Sequence, residues 1–115
     1  MPFQHLDKII FNQNVPIKDV LKGFNETALY TEHSGFSIIV NNEGKCIGVV
    51  TDGDIRRKLL EKVSLETSVE KVLNRDFTFV YQDDSAHKIL RQFDNKVVNL
   101  PVLDNNKIPV DLYQY

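Results

Sequence analysis

With 115 residues, 42% of them apolar and 26% charged, the chain has a globular composition that argues against disorder, and size scaling lets it bury roughly two thirds of its unfolded surface. A net charge of −2 supplies no field for nucleic acid or an anionic membrane, so neither is an expected partner. No apolar run approaches the ~20 residues of a spanning helix, Met1 to Ile10 lacks a secretory signal, and the lone Cys46 fits a reducing cytoplasm.

After a lead-in from Met1 to Leu6, Asp7 to Phe11 reads as a short strand from its β-branched and aromatic content. Pro16 suits a first helical position, where its missing N–H costs nothing. Ile17, Val20, Leu21 and Phe24 then fall at i, i+3, i+4, i+7, one apolar helix stripe. Asn25 to Gly35 is polar and irregular. Phe36 to Val40 reads as a strand, Asn41-Asn42-Glu43-Gly44 as a tight turn, and Cys46 to Val50 as the returning strand.

From Gly48 to Leu60 the chain passes from strand through a short polar bend into a helix with Ile55, Leu59, Leu60 and Val63 on its apolar side. Arg56 and Arg57 lie in the first turns, where exposed N–H groups and the helix dipole favour anions. Thr67 and Glu70 have capping-box spacing ahead of Val69, Val72 and Leu73. Phe77 to Tyr81 reads as a strand, and Asp83-Asp84-Ser85 offers helix caps before Ala86, Ile89, Leu90 and Phe93. Val97 to Leu103, an Asp104 to Lys107 turn, and Ile108 to Leu112 complete the predicted elements.

The two helix stripes share one spacing, and each stands in the order strand, helix, strand, strand. The first copy adds a further helix; the second reaches Tyr115 without one, which suggests the front piece of a longer chain. In this repeat, the run Ile38 to Ile55, with Gly44, Gly48, Thr51 and Asp54 at its fixed points, resembles the hallmark of CBS domains, with Asn41 where aspartate is usual. Leu100-Pro101-Val102-Leu103-Asp104 is similar to the family's second conserved run. The resemblance implies an α/β (α+β) fold: tandem β-α-β-β-α modules packed through their sheets, the second lacking its last helix. The modules are divided here as 1–65 and 66–115.

Thr51-Asp52-Gly53-Asp54-Ile55-Arg56-Arg57 is similar, more narrowly, to the CBS pair at the N-terminus of bacterial sugar-phosphate nucleotidyltransferases, and also to pairs attached to sugar-phosphate isomerases. That resemblance implies a regulatory, non-catalytic module, a homodimer through the pair, and a C-terminal catalytic domain in the same parent. It also implies an adenine nucleotide or related effector, with Thr51 and Asp54 on the ribose, Arg56 and Arg57 toward phosphate, and the base near Phe36 and Ile38. The residues themselves leave two readings open. A threonine and an aspartate three apart at a helix start can bond vicinal hydroxyls, or can simply cap the helix. Adjacent arginines point about 100° apart, so both cannot easily line one pocket.

Setting Ile47-Gly48 against Ile108-Pro109 puts Leu112 opposite Thr51 and Tyr115 opposite Asp54, so the second copy is expected to lack a ribose site. A ligand-free dimerisation scaffold is therefore the rival reading. His5, His33 and His87 have no metal-ligand spacing and read as surface residues. Cys46 reads as a small apolar residue, and Asp83-Asp84 as a cap instead of an acid/base pair. No resident cofactor is expected.

Overall fold

The stripe beginning at Ile17 folds as α2 (Ile17–Thr27), with Ile17, Val20 and Phe24 buried; a four-residue helix, α1 (Leu6–Ile9), and a short strand, β1 (Ile10–Asn12), precede it. The computed structural model describes residues 6–29, 35–94 and 97–114; His5, His33 and Tyr115 lie outside them. The strand expected from Asp7 is thus helical for its first turn. Leu6 and Ile9, three apart, both pack into the cluster between the two sheets, an arrangement that strand alternation would forbid. Pro16 is the extended N-cap of α2 and not its first helical residue, and it pairs with Ser68.

β2 (Phe36–Val40) lies parallel to β1 and antiparallel to β3 (Cys46–Thr51), giving a sheet of order β1-β2-β3. Helix α3 (Asp52–Leu60) follows directly. The expected second capped helix is a 3-10 turn at Val69–Lys71, with Ser68 as its N-cap. Thr67 forms no cap there: its N–H donates to Ser64, and the Glu70 N–H donates to Gln13 across the fold, so a tertiary bond takes the place of a local one. This turn packs Val69 and Val72 against α2, Ile39, Val50 and Ile55.

Of Phe77 to Tyr81 only β4 (Val80–Tyr81) is a ladder strand. Phe77, Phe79 and Tyr81 alternate toward the intersheet cluster, with successive ring centroids 5.3 Å and 5.5 Å apart. Helix α4 (Ala86–Gln92) is capped by Ser85, whose hydroxyl accepts from the Lys88 N–H. It buries no residue fully; Ile89 and Phe93 lean on the second sheet, while Ala86 and Leu90 are exposed. β5 (Asn99–Leu103) pairs with β4 in parallel and with β6 (Pro109–Gln114) antiparallel, repeating the first sheet.

The two hairpins share the same set of turn hydrogen bonds. Asn41 Oδ1 accepts from the N–H groups of Glu43 and Lys45, as Asp104 Oδ1 does from Asn106 and Ile108. Gly44 (φ 81°) and Lys107 (φ 66°) hold the same left-handed position. Both ladders shift register at one place, between Ile39 and Val40 and between Val102 and Leu103. The extra residue flips strand parity. Cys46 and Val49 therefore face the intersheet cluster, while Ile47 and Val50 face the helices.

The Cys46 N–H donates to Lys107 O at 2.8 Å, joining the two hairpins. The symmetric bond would need an N–H at Pro109, which proline lacks. Ile9, Phe36, Ile38, Val40, Cys46, Val49, Leu103 and Leu112 form the core between the sheets. Among the described residues no helix is long and apolar enough to cross a membrane.

Candidate ligand cleft

Thr51 ends β3 and is the N-cap of α3, and the capping box is complete there. Thr51 Oγ1 accepts from the Asp54 N–H at 3.1 Å, and the Thr51 N–H donates to Asp54 Oδ2 at 3.0 Å. The other Asp54 oxygen accepts from Arg57, and Arg56 pairs with Asp52. Both guanidinium groups are mostly exposed, so each of these contacts is a solvated surface pair.

Thr51 also lies on the rim of an open cleft of about 420 Å³, within the range of small-molecule sites. Phe36 and Val49 supply its apolar wall; Asn74, Asp76 and Thr78 come from the connecting segment, and Val97 to Asn99 from the approach to β5. The cleft is therefore built from both halves of the repeat. Its lining sets the polar side chains of Thr51, Asn74, Asp76, Thr78 and Asn99 among apolar ones.

The structure brings Thr51 and Phe36 to this cleft and leaves the other expected residues outside its lining. Asp54 stands one helical turn beyond Thr51, bonded to it. Ile38 has no exposed surface and packs in the intersheet core, so it cannot touch a base. Arg56 and Arg57 extend from α3 into solvent. His87 is an exposed residue of α4, in line with the surface reading. Asp84 belongs to the α4 start: its Oδ2 accepts from the Tyr81 N–H and its Oδ1 pairs with Lys88, which together hold its carboxyl below the usual carboxylate value. Cys46 is buried, and burial pushes its thiol up to about 11.

Residues 74 to 78 and 97 to 99 were read from the sequence as connector and strand and not as site residues. They form no motif, and the sole signal for them is their place in the repeat, where the segments leading into β4 and β5 meet the end of β3.

The ladders also correct the alignment of the two halves. Phe36 pairs with Thr51, and Asn99 pairs with Gln114, at the same point of each hairpin. Gln114, and not Leu112, is the counterpart of Thr51, while Leu112 corresponds to Val49. The second copy thus keeps a polar residue at this point. At the equivalent place in the second hairpin, Leu112 packs in the same cluster as Leu6 and Ile9 of α1.

Two small α/β modules in tandem, joined sheet to sheet with a cleft at their junction, define the class. The chain belongs to the CBS domain family, which its residues 6–61 and 69–110 match. An uncharacterized protein of Methanocaldococcus jannaschii is 36% identical over 78 residues, covering 64% of this chain and 18% of that protein. An uncharacterized protein of Rickettsia prowazekii is 23% identical over 107 residues, covering 80% of this chain and 33% of its own length. The chain spans a third or less of these relatives. Among solved structures, the CBS domains of a transcriptional regulator from Streptococcus pneumoniae superpose with a TM-score of 0.76 at 19% identity, covering 99% of this chain and 87% of that one. The cytosolic domain of the Mg2+ channel MgtE in complex with ATP superposes with a TM-score of 0.74 at 20% identity, covering 92% and 41%. At these identities the likeness is one of fold.

Proposed function

We propose that this CBS pair, with residues 1–65 as its first motif and 66–115 as its second, is a cytoplasmic regulatory module that binds an adenine nucleotide or related metabolite in the cleft at Thr51. One observation carries the reading: the capping box leaves Thr51 and Asp54 with hydrogen-bonding capacity in a fixed geometry. The Thr51 oxygen accepts from Asp54, so its O–H proton remains to be donated. Each Asp54 oxygen retains a lone pair that can accept from a vicinal hydroxyl. The helix cap and the ribose site are then one arrangement, and the base stacks toward Phe36 and Val49. A related fold that holds ATP, in the MgtE domain, supports this assignment.

Arg57, in this reading, must leave Asp54 before it can reach a phosphate, so the arginines add little affinity. The module itself carries no catalytic role. It acts as a homodimer and belongs to the N-terminal part of a sugar-phosphate nucleotidyltransferase, a parentage supported by the run from Thr51 to Arg57. A Gly-rich pyrophosphorylase loop encoded beyond residue 115 is the expected finding; a different domain there refutes the parentage.

Titration calorimetry with AMP, ADP, ATP, GTP, S-adenosylmethionine and sugar nucleotides tests the site. At least one should bind, and the Thr51→Ala/Asp54→Ala double variant should lose it while remaining folded. No binding at millimolar concentration sinks the sensor reading and leaves the scaffold.

A further inference from the structure

Asn99 is the one polar side chain that β5 contributes to the cleft lining. It sits opposite Gln114 in the ladder, and Gln114 Nε2 donates to Asn99 Oδ1 at 2.8 Å. That bond fixes the carboxamide. With Oδ1 turned to Gln114, the Nδ2 group, which has no protein partner among the described residues, is the end left for the cleft.

From this pairing we infer that Asn99 is the specificity-determining residue of the cleft, presenting an N–H donor to an acceptor atom on the ligand's heterocycle, and that Gln114 is the positioning residue that sets its orientation. The inference rests on the reading of the cleft as a nucleoside site. Thr51 and Asn99 close the cleft from opposite halves of the repeat, so a ligand with hydroxyls at one end and a ring acceptor at the other spans both. An amide is two-faced: rotated by half a turn, it offers oxygen where nitrogen stood and selects ligands with the opposite pattern. Gln114, which does not line the cleft, decides between the two. A donor left facing a ligand without an acceptor loses its bond to water and gains none, which is where the discrimination comes from.

The decisive variants are Asn99→Asp and Gln114→Glu. An aspartate still accepts from Gln114 Nε2, so the ladder contact survives, but it presents an acceptor to the cleft in place of the donor. A glutamate at 114 can only accept, which turns the Asn99 nitrogen toward it and the oxygen toward the cleft. The probes are adenosine and its 1-deaza, 3-deaza and 7-deaza analogues, each lacking one ring acceptor, measured by calorimetry. One analogue should bind the wild type about tenfold more weakly than adenosine does. In both variants adenosine itself should weaken by about tenfold, and that analogue's deficit should vanish.

Unchanged adenosine binding by Asn99→Asp, with binding still lost in the Thr51→Ala/Asp54→Ala double variant, overturns the inference while leaving the site in place. Silence of the wild type toward adenosine overturns the site and the inference with it. Side-chain amide NMR of the ligand-free protein judges the orientation separately. The Gln114 NH2 should exchange slowly and the Asn99 NH2 quickly; the reverse order means the amide faces the other way and refutes the proposal.

Discussion

Replacing Gly48 by alanine separates two opposite effects. A Cβ at this position would lie 2.5 Å from Leu73 Cδ1 and 2.7 Å from the Asn74 carbonyl oxygen, both closer than real Cβ contacts come. Leu73 can rotate. The carbonyl is backbone, tied by the Val49 N–H at 3.0 Å, while the Asn74 N–H returns a bond to Val49 O at 2.7 Å. Relief requires the strand end and the connecting segment to part by several tenths of an ångström, straining both bonds. Two weakened backbone bonds at about 0.5–1.5 kcal/mol each, with overpacking of about 1–3 kcal/mol, set the cost. Alanine recovers only about 0.4–1 kcal/mol through the stiffer unfolded chain. The net loss is about 1–5 kcal/mol, read as a lower urea midpoint with an unchanged slope. Because Asn74 opens the cleft-lining segment, ligand affinity should fall as well. Equilibrium urea unfolding followed by circular dichroism reads the first effect. If Gly48→Ala is as stable as the wild type or more so, the close approach of strand and connector is wrong.

Thr51→Ala should cost about 1 kcal/mol from the lost cap, and Thr51→Ser should retain most of it, by the same unfolding assay. Lys107→Gly should stabilise by about 0.5–1 kcal/mol because lysine is held at positive φ, whereas Gly44→Ala, at the matching turn, should destabilise by a similar amount. The Cys46 thiol is raised from 9.0 to about 11, so in the window between those values the unfolded chain has released a proton that the native chain keeps. Stability should therefore fall with rising pH from about 9 to about 11 by up to about 2–3 kcal/mol, and Cys46→Ala should lose that component. A native-state thiol that reacts rapidly with a disulfide reagent at pH 8 contradicts the burial.

The hairpins and α2 were legible because their determinants are local: a 3.6-residue stripe and Asn-rich turns. The equivalence of the halves was legible in outline but slipped by two residues at β6. Lys107 does in the second turn what Gly44 does in the first, and no residue similarity marks that left-handed position. Leu6 and Ile9 form a helix because both reach the intersheet core, a reason that exists only once the second sheet is in place. The Thr67 cap failed for a related reason: a tertiary acceptor at Gln13 claimed the Glu70 N–H. Of the cleft's lining, Thr51 and Phe36 were named from the sequence, and Asp54 was readable from helix-start chemistry as the capping partner of Thr51. The cleft's other wall was not, since residues 74 to 78 and 97 to 99 matter for where the chain carries them.

The missing N–H at Pro109 has a mechanical consequence. Two symmetric bonds between the hairpins would define an axis and resist twisting about either point. Among the described residues the single backbone bond from Cys46 to Lys107 pins the two hairpins at one point, while the connecting segment is tied to the first sheet by the paired Val49–Asn74 bonds. At the hairpin tips the junction is therefore held by one polar bond and by apolar contact, whereas at the connecting segment it is held by a reciprocal pair of backbone bonds.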